Sequence, residues 1–209
     1  MTNYSGDRAM KVAGIILAAG ESSSMKGQNK LISEVVGKPV LVWVVETAVS
    51  AGLEPVIVVT GYDDGATGKI LADLPADIVL NNRWQEGMST SFPPAVNALP
   101  STVQGVMILL GDMPAVNSDI VKKLVSQFAA SGGEKIVHPV FGGQQGNPVV
   151  FPRCFFPALT GLTGDSGAKS ILKEHPDTVL KVEVDSSSIL LDIDTEDDLT
   201  KMEHFLREK

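Results

Sequence analysis

The sequence predicts an α/β fold with a mostly parallel sheet covered by helices on both faces, plus a smaller antiparallel portion. Two observations carry the parallel part. Short, continuous apolar runs recur along the chain, and segments of helical periodicity separate them. Such runs belong to strands buried on both faces, and the intervening helices supply the crossovers. A third observation carries the antiparallel part: GGQQGN, between Phe141 and Pro148, has the composition of a hairpin turn.

The expected strands cover residues 12–17, 55–60, 77–80, 106–110, 135–140, 148–151 and 179–184. The first expected helix runs over 39–50, opened by Pro39 and stopped by Gly52, which uses the preference for proline at a helix start and glycine past its end. Further helices are expected at 66–74, 91–99, 118–130, 168–174 and 196–207. No repeat, low-complexity tract or linker interrupts the pattern, so residues 1–209 are expected to form one domain, with 1–10 a disordered N-terminus.

Hydrophobic residues make up 44% of the chain and charged residues 20%, which is material for a real core. No stretch reaches the roughly eighteen apolar residues of a membrane span. The opening MTNYSGDRAMK lacks the apolar centre of a secretory signal. A single cysteine, Cys154, can form no internal disulfide and is expected to be buried. Together these point to a cytoplasmic protein with no membrane partner. The net charge of -8 argues against a nucleic-acid partner, which needs a basic face. Residues 11–38 are nonetheless +2, so a small anion is expected to be drawn there. His138, His175 and His204 have no metal-binding spacing and are expected to be structural or solvated.

In open sheets of this kind, ligands bind beyond the carboxyl ends of the strands. Polar or small residues follow those ends here: Gly20, Gly61, Asn81 and Asp112. In IILAAGESSSMKGQNKL (15–31), an apolar strand stops at Ala18-Ala19-Gly20 and Lys30 arrives ten residues later. Backbone N–H groups in such a loop can face phosphate oxygens with Lys30 as the cation; the segment is equally a plain turn with surface lysines. Neither G-x-x-x-x-G-K-[ST] nor G-x-G-x-x-G is present. Asp112 follows a buried strand and is placed either to hold a divalent cation or to cap the turn after it. Ser89 and Ser91 can bond a base or ribose, or one of Ser89 and Thr90 can cap a helix. Trp84 is a packing anchor or a stacking surface. Asp194 and Thr195 are expected to begin the last helix, with Glu196 and Asp197 in its first turn.

The loop resembles that of the molybdenum-cofactor nucleotidyltransferases, L-A-[AG]-G-x-S-x-R-M-G-x-x-K. It matches at Leu17, Ala18, Ala19, Gly20, Ser22, Met25 and Lys30, and departs at Ser24 and Lys26. Five further elements follow in order, each similar to the branch around molybdenum cofactor cytidylyltransferase. These are Asn81 with Trp84, Gly87, Met88, Ser89 and Ser91; Gly111-Asp112-Met113-Pro114; Gly146-Asn147-Pro148; Gly164-Asp165-Ser166-Gly167-Ala168-Lys169; and Asp192-Ile193-Asp194-Thr195. Asn147 stands where that branch has His, and Lys169 where it has Arg.

The resemblance implies a three-layer, Rossmann-like nucleotidyltransferase fold. It implies transfer of CMP from CTP to the phosphate of a molybdopterin-type cofactor, releasing pyrophosphate, for a recipient molybdoenzyme such as a xanthine dehydrogenase. Lys30 and Asp112 would be catalytic. Leu17, Ala18, Ala19, Gly20, Ser22, Lys30, Ser89, Ser91 and Gly111 would bind nucleotide, and Asn147, Asp165 and Lys169 the acceptor. Asp112 and Asp192 would hold Mg2+. Ala19 resembles the CTP-using branch, since the GTP-using one carries a second Gly there. Ser24 and Asn147 keep two alternatives open: nucleotidyl transfer to another small phosphorylated acceptor, and a pterin carrier or maturation factor without catalysis.

Overall fold

A computed structural model describes residues 10–21, 25 and 29–208 of the chain. The expectations for Ser22, Ser24 and Lys26, and for nearly all of the N-terminus, lie outside the described residues. The apolar run after Lys11 forms β1 (Val12–Ala18), the central strand. It pairs in parallel with β4 (Val56–Thr60) on one side and with β6 (Gly105–Leu110) on the other. Beyond β4 lies β5 (Asp77–Leu80), also parallel. Beyond β6 lies β9 (Val149–Pro152), antiparallel to β6 and to β7 (Ile136–Phe141); β10 (Val179–Glu183) closes that side parallel to β7. The order is β10-β7-β9-β6-β1-β4-β5. The GGQQGN turn is a hairpin, as expected: Gly142 and Gly143 turn the chain at positive φ, and β8 (Gln144–Gln145) pairs back onto β7.

Side chains of β1 alternate between two apolar layers, as strand geometry requires. Val12, Ile16 and Ala18 pack with α1 (Val40–Ser50), α2 (Asp64–Leu71) and α4 (Ser118–Ala130). Ala13, Ile15 and Ala19 pack with α3 (Phe92–Asn97), α5 (Phe156–Thr160) and α6 (Lys169–Glu174). A third cluster, which includes Val35, Ile193 and Met202, seats α7 (Glu196–Arg207) against the ribbon of β2 (Glu34–Val35) and β3 (Lys38–Pro39). The result is the expected three-layer, mostly parallel α/β architecture.

The chain runs from β1 to β4 and β5 on one side, then returns to β6 on the other side of β1. The strand order therefore reverses between β1 and β6, and the crevice above their carboxyl ends is where such sheets bind ligands.

Several expectations are corrected. The first strand continues through Ala18, because Ala18 is in register with Thr60 of β4. The segment expected as one helix over 91–99 is a 3-10 turn, Met88–Ser91, followed by α3, whose first turn tolerates Pro93 and Pro94. The helix expected at 66–74 begins two residues earlier and ends at Leu71. The β2–β3 ribbon and α5 were not anticipated; each is too short for periodicity to reveal. Cys154 is exposed rather than buried, because it lies in the 3-10 turn Arg153–Phe155 that leaves the sheet.

Candidate active site

A cleft of about 500 Å³ opens above the carboxyl ends of β1 and β6. Leu17, Ala18, Ala19 and Gly20 form one wall. Ala and Gly leave this backbone unobstructed, as the sequence suggested. Lys30 and Asp112 face each other across the floor. The Lys30 Nζ donates to Asp112 Oδ2 at 2.7 Å and to Asp194 Oδ1 at 2.8 Å. These partners lie 82 and 164 residues away in sequence. Burial alone would lower the Lys30 pKa, but the Asp112 charge and hydrogen bond, with those of Asp194, overcome it and raise the pKa above its ordinary value. Lys30 is therefore a fixed cation at neutral pH.

The third partner was not foreseen. Asp194 does not serve as the helix cap; Thr195 does, through a capping box with Asp198. The signal was present in Asp192-Ile193-Asp194. Ile193 is fully buried, while Asp192 and Asp194 on either side of it line the cleft. The Ile193 N–H donates to the Asp112 carbonyl at 3.1 Å and ties this segment to the end of β6.

The cleft is acidic. Its described lining includes Glu21, Asp112, Asp165, Asp192 and Asp194 against Lys30 alone. The basic balance of residues 11–38 thus does not carry over to the cleft's described lining, because distant segments bring carboxylates to it. Burial raises the pKa of Asp192, and the nearby Asp112 and Asp194 charges push it further up. Asp112 Oδ1 is buried without a hydrogen-bond partner. An acceptor-only oxygen left bare beside other carboxylates suits a hard divalent cation. Among the described residues no group of three or more His, Cys, Asp or Glu encloses a metal by itself.

The opposite wall holds Trp84, Gln85, Gly87, Met88 and Ser91. Asn81, 3% exposed, organises it: its Nδ2 donates to Thr90 Oγ1 and Ser91 Oγ, and its Oδ1 accepts from the Arg83 N–H. Trp84 packs edge-to-face with Tyr62, as a packing anchor would, and also lines the cleft. Gly61 permits this, since a Cβ there would lie 2.7 Å from that of Trp84. Ser89 is buried behind the wall, and its N–H donates to the Gly164 carbonyl. Gly111 also lies off the cleft, with its N–H spent on the Leu17 carbonyl.

Gly87 has φ +109, and a Cβ there would meet the Gly164 C and O at 2.6 Å and Asp165 Oδ1 at 2.7 Å. The loop before α6 is therefore clipped onto the wall. Gly87→Ala is expected to cost about 1–3 kcal/mol in denaturant unfolding, from backbone strain and the displaced loop; a cost near zero would mean that the clip is loose.

A second pocket of about 350 Å³ adjoins the cleft, sharing Leu17, Met88 and Leu110. Its base is apolar, with Ile108 and Val149, and Asn147, Lys169, Ser170 and Lys173 stand around it. Of the residues assigned to the acceptor, Asn147 and Lys169 line this pocket, and Asp165 lines the cleft. Partial burial lowers the Lys169 pKa, offset by the Asp192 charge. His138 is a buried strand residue whose Nδ1 lies 3.1 Å from the Pro139 carbonyl, and burial lowers its pKa.

The Ala18–Gly20 wall at the strand-order reversal, the Lys30 ammonium and the bare Asp112 oxygen are groups able to take up a polyphosphate together with a divalent cation. The chain belongs to the MobA-like NTP transferase domain family, whose profile matches residues 14–179. It is 31% identical to the purine catabolism protein PucB of Bacillus subtilis over 90% of this chain and 94% of that one. It is 35% identical to the bifunctional protein GlmU of Caldanaerobacter subterraneus over 59% of this chain, where it spans only 27% of the relative's length. Among solved structures, Rv0371c of Mycobacterium tuberculosis superposes with a TM-score of 0.83 at 26% identity, covering 94% of this chain and 99% of that one. The same mycobacterial protein in complex with manganese gives 0.80 at 24% identity, covering 93% and 99%.

Proposed function

We propose that this nucleotidyltransferase moves CMP from CTP onto the phosphate of a molybdopterin-type cofactor in the cytoplasm, supporting maturation of a molybdoenzyme. The observation that carries the reading is the Lys30–Asp112 pair at 2.7 Å, set between the Ala18–Gly20 wall and a second, partly cationic pocket. The order of the six sequence elements supports the choice of acceptor. Ala19 in the wall supports CTP, since its methyl group narrows a site of close backbone approach.

The nucleotide would lie along the Ala18–Gly20 wall with its phosphates toward Lys30. Asp112, with Asp192, would hold Mg2+, which when bound supplies positive charge at the α-phosphate. Lys30 neutralises phosphate charge and orients the leaving pyrophosphate. Asn147 and Lys169 would hold the acceptor phosphate in line with the α-phosphorus. That oxygen is already ionised, so no strong general base is needed, and a neutral amide at position 147 suffices for positioning. Catalysis then rests on alignment and electrostatics.

The test is pyrophosphate release from each of CTP, GTP, ATP and UTP with Mg2+ and molybdopterin cofactor. Release with CTP alone is expected. Release only with a different phosphorylated acceptor would keep the transferase and replace the acceptor, and tight cofactor binding without turnover would favour a carrier.

Mg2+ alone is expected to raise the thermal unfolding midpoint at pH 7–8, because it relieves the crowding of Asp112, Asp192 and Asp194. Asp192 titrates above 3.8 in the folded state, so on acidification the folded protein takes up its proton first. The native state thus gains stability as pH falls through the window just above 3.8, and the Mg2+ effect shrinks there. A midpoint indifferent to Mg2+ at pH 8, or an undiminished rise in Asp112→Asn, would count against the metal role.

A further inference from the structure

We infer that the segment beyond the matched family domain completes the active site, with Asp194 as a positioning residue that fixes the Lys30 ammonium. The family profile ends at residue 179, and α7 and the Asp192–Asp194 stretch lie after it. Yet Asp194 Oδ1 accepts from Lys30 Nζ at 2.8 Å, a contact as short as that from Asp112.

Three further contacts hold Asp194 in place. The Ile193 side chain is fully buried in the cluster that seats α7. The Ile193 N–H is bound to the Asp112 carbonyl. The Asp194 N–H donates to Asp198 Oδ2 at 3.3 Å, and that carboxylate also accepts from the Thr195 N–H at 2.9 Å and Oγ1 at 2.8 Å. The capping box of α7 therefore does more than start a helix. Its Asp198 fixes the backbone of Asp194, and Asp194 fixes the lysine.

A lysine carries a flexible four-carbon stem with a point charge at its end, and one carboxylate does not define where that charge sits. Bonds to two carboxylates from separate segments narrow it. Losing the Asp194 bond would let the ammonium shift toward Asp112, the side chain proposed to face the metal, and away from its place on the cleft floor. Asp194 also adds negative charge to an acidic cleft, so removing that charge should not weaken nucleotide binding. Its contribution belongs to geometry in the transition state, and this separates it from a residue that merely binds substrate.

The inference rests on the nucleotidyl-transfer reading for its kinetic part only, so two readouts are needed. The first needs no nucleotide. Trace acetylation of the intact protein, followed by peptide mass spectrometry, reports how freely the Lys30 amine reacts. Asp194→Asn is expected to speed Lys30 labelling about threefold or more, as loss of a bonded charge frees the amine. Asp194→Glu should restore protection, and Lys11, remote from the cleft, should not change.

The second readout is a kinetic double-mutant cycle on pyrophosphate release. Asp194→Asn should lower kcat about tenfold without raising KM for CTP, and should have no further effect in a Lys30→Ala background. Unchanged Lys30 labelling in Asp194→Asn would overturn the inference whatever the activity. So would a loss of equal size in the Lys30→Ala background, particularly one relieved by more Mg2+, which would make Asp194 a metal ligand. Absence of turnover with every nucleotide would sink the transfer reading and leave the labelling result to decide the role of Asp194.

Discussion

Asp112→Ala is expected to reduce kcat for nucleotidyl transfer about a hundredfold or more, the scale on which loss of a preorganised transition-state electrostatic contact acts. Asp112 stands at the end of β6, rigid on both sides. Its carbonyl is tied to Ile193, and the strand beneath it is buried and paired with β1 and β9. One carboxylate oxygen holds Lys30, and the other is bare. Alanine removes both functions at once. Asp112→Asn separates them, because an amide oxygen still accepts from Lys30 while the negative charge is gone. Steady-state kinetics across a Mg2+ titration should show Asp112→Asn nearly as impaired as alanine, with Mg2+ unable to restore it. An asparagine variant close to wild type would mean that holding Lys30 is the residue's whole contribution. An alanine variant close to wild type would remove Asp112 from the chemistry.

The second large effect is expected at Lys30. Lys30→Ala should lower kcat/KM about a hundredfold, with KM for the nucleotide raised as well as kcat lowered, because the proposed contact of this cation with the phosphates would act in both ground and transition states. Lys30 is also the only lysine or arginine among the cleft's described lining residues, set against five carboxylates. Its removal takes the bonded cation from Asp112 and Asp194 and a nearby positive charge from Asp192. Lys30→Arg should recover little, because a planar guanidinium cannot occupy the point between two carboxylates that an ammonium fills. Nucleotide binding by calorimetry and initial rates measured on the same preparations would check both parts. If KM and kcat stayed at wild-type values, Lys30 would be a structural ion pair only.

Much of the architecture was legible because its signals are local. The apolar runs at Val12, Val56 and Val106 form strands within one residue of their expected bounds, and α4 and α7 fall where their periodicity put them. Lys30 and Asp112 were legible as a pair only through the rule that ligands gather at strand ends, reinforced by the family-like order of motifs. Other features depend on three-dimensional proximity and have no local signature. Asp194 looked like a helix start because Thr195 and the acidic residues after it do start a helix. Its reach to Lys30 depends on Ile193 anchoring in a cluster with Val35, Val40 and Ala115, far away in sequence, and with Met202 of α7. Gly111 looked like part of the binding loop, but its N–H is consumed by Leu17 across the neighbouring strand. The acidity of the cleft was hidden for the same reason: counting charges along residues 11–38 misses the carboxylates that later segments deliver.

The pairing of Lys30 with partners 82 and 164 residues downstream has a consequence for synthesis in the cell. While translation is under way, the Ala18–Gly20 wall and the Lys30 ammonium emerge first, then the β6 carboxylate, and the second clamp on the ammonium only near the finish. A half-made polypeptide with β1, β4 and β6 already folded would hold the amine through Asp112 but lack the Asp194 bond. The cleft would reach its final geometry late, as the closing helix docks.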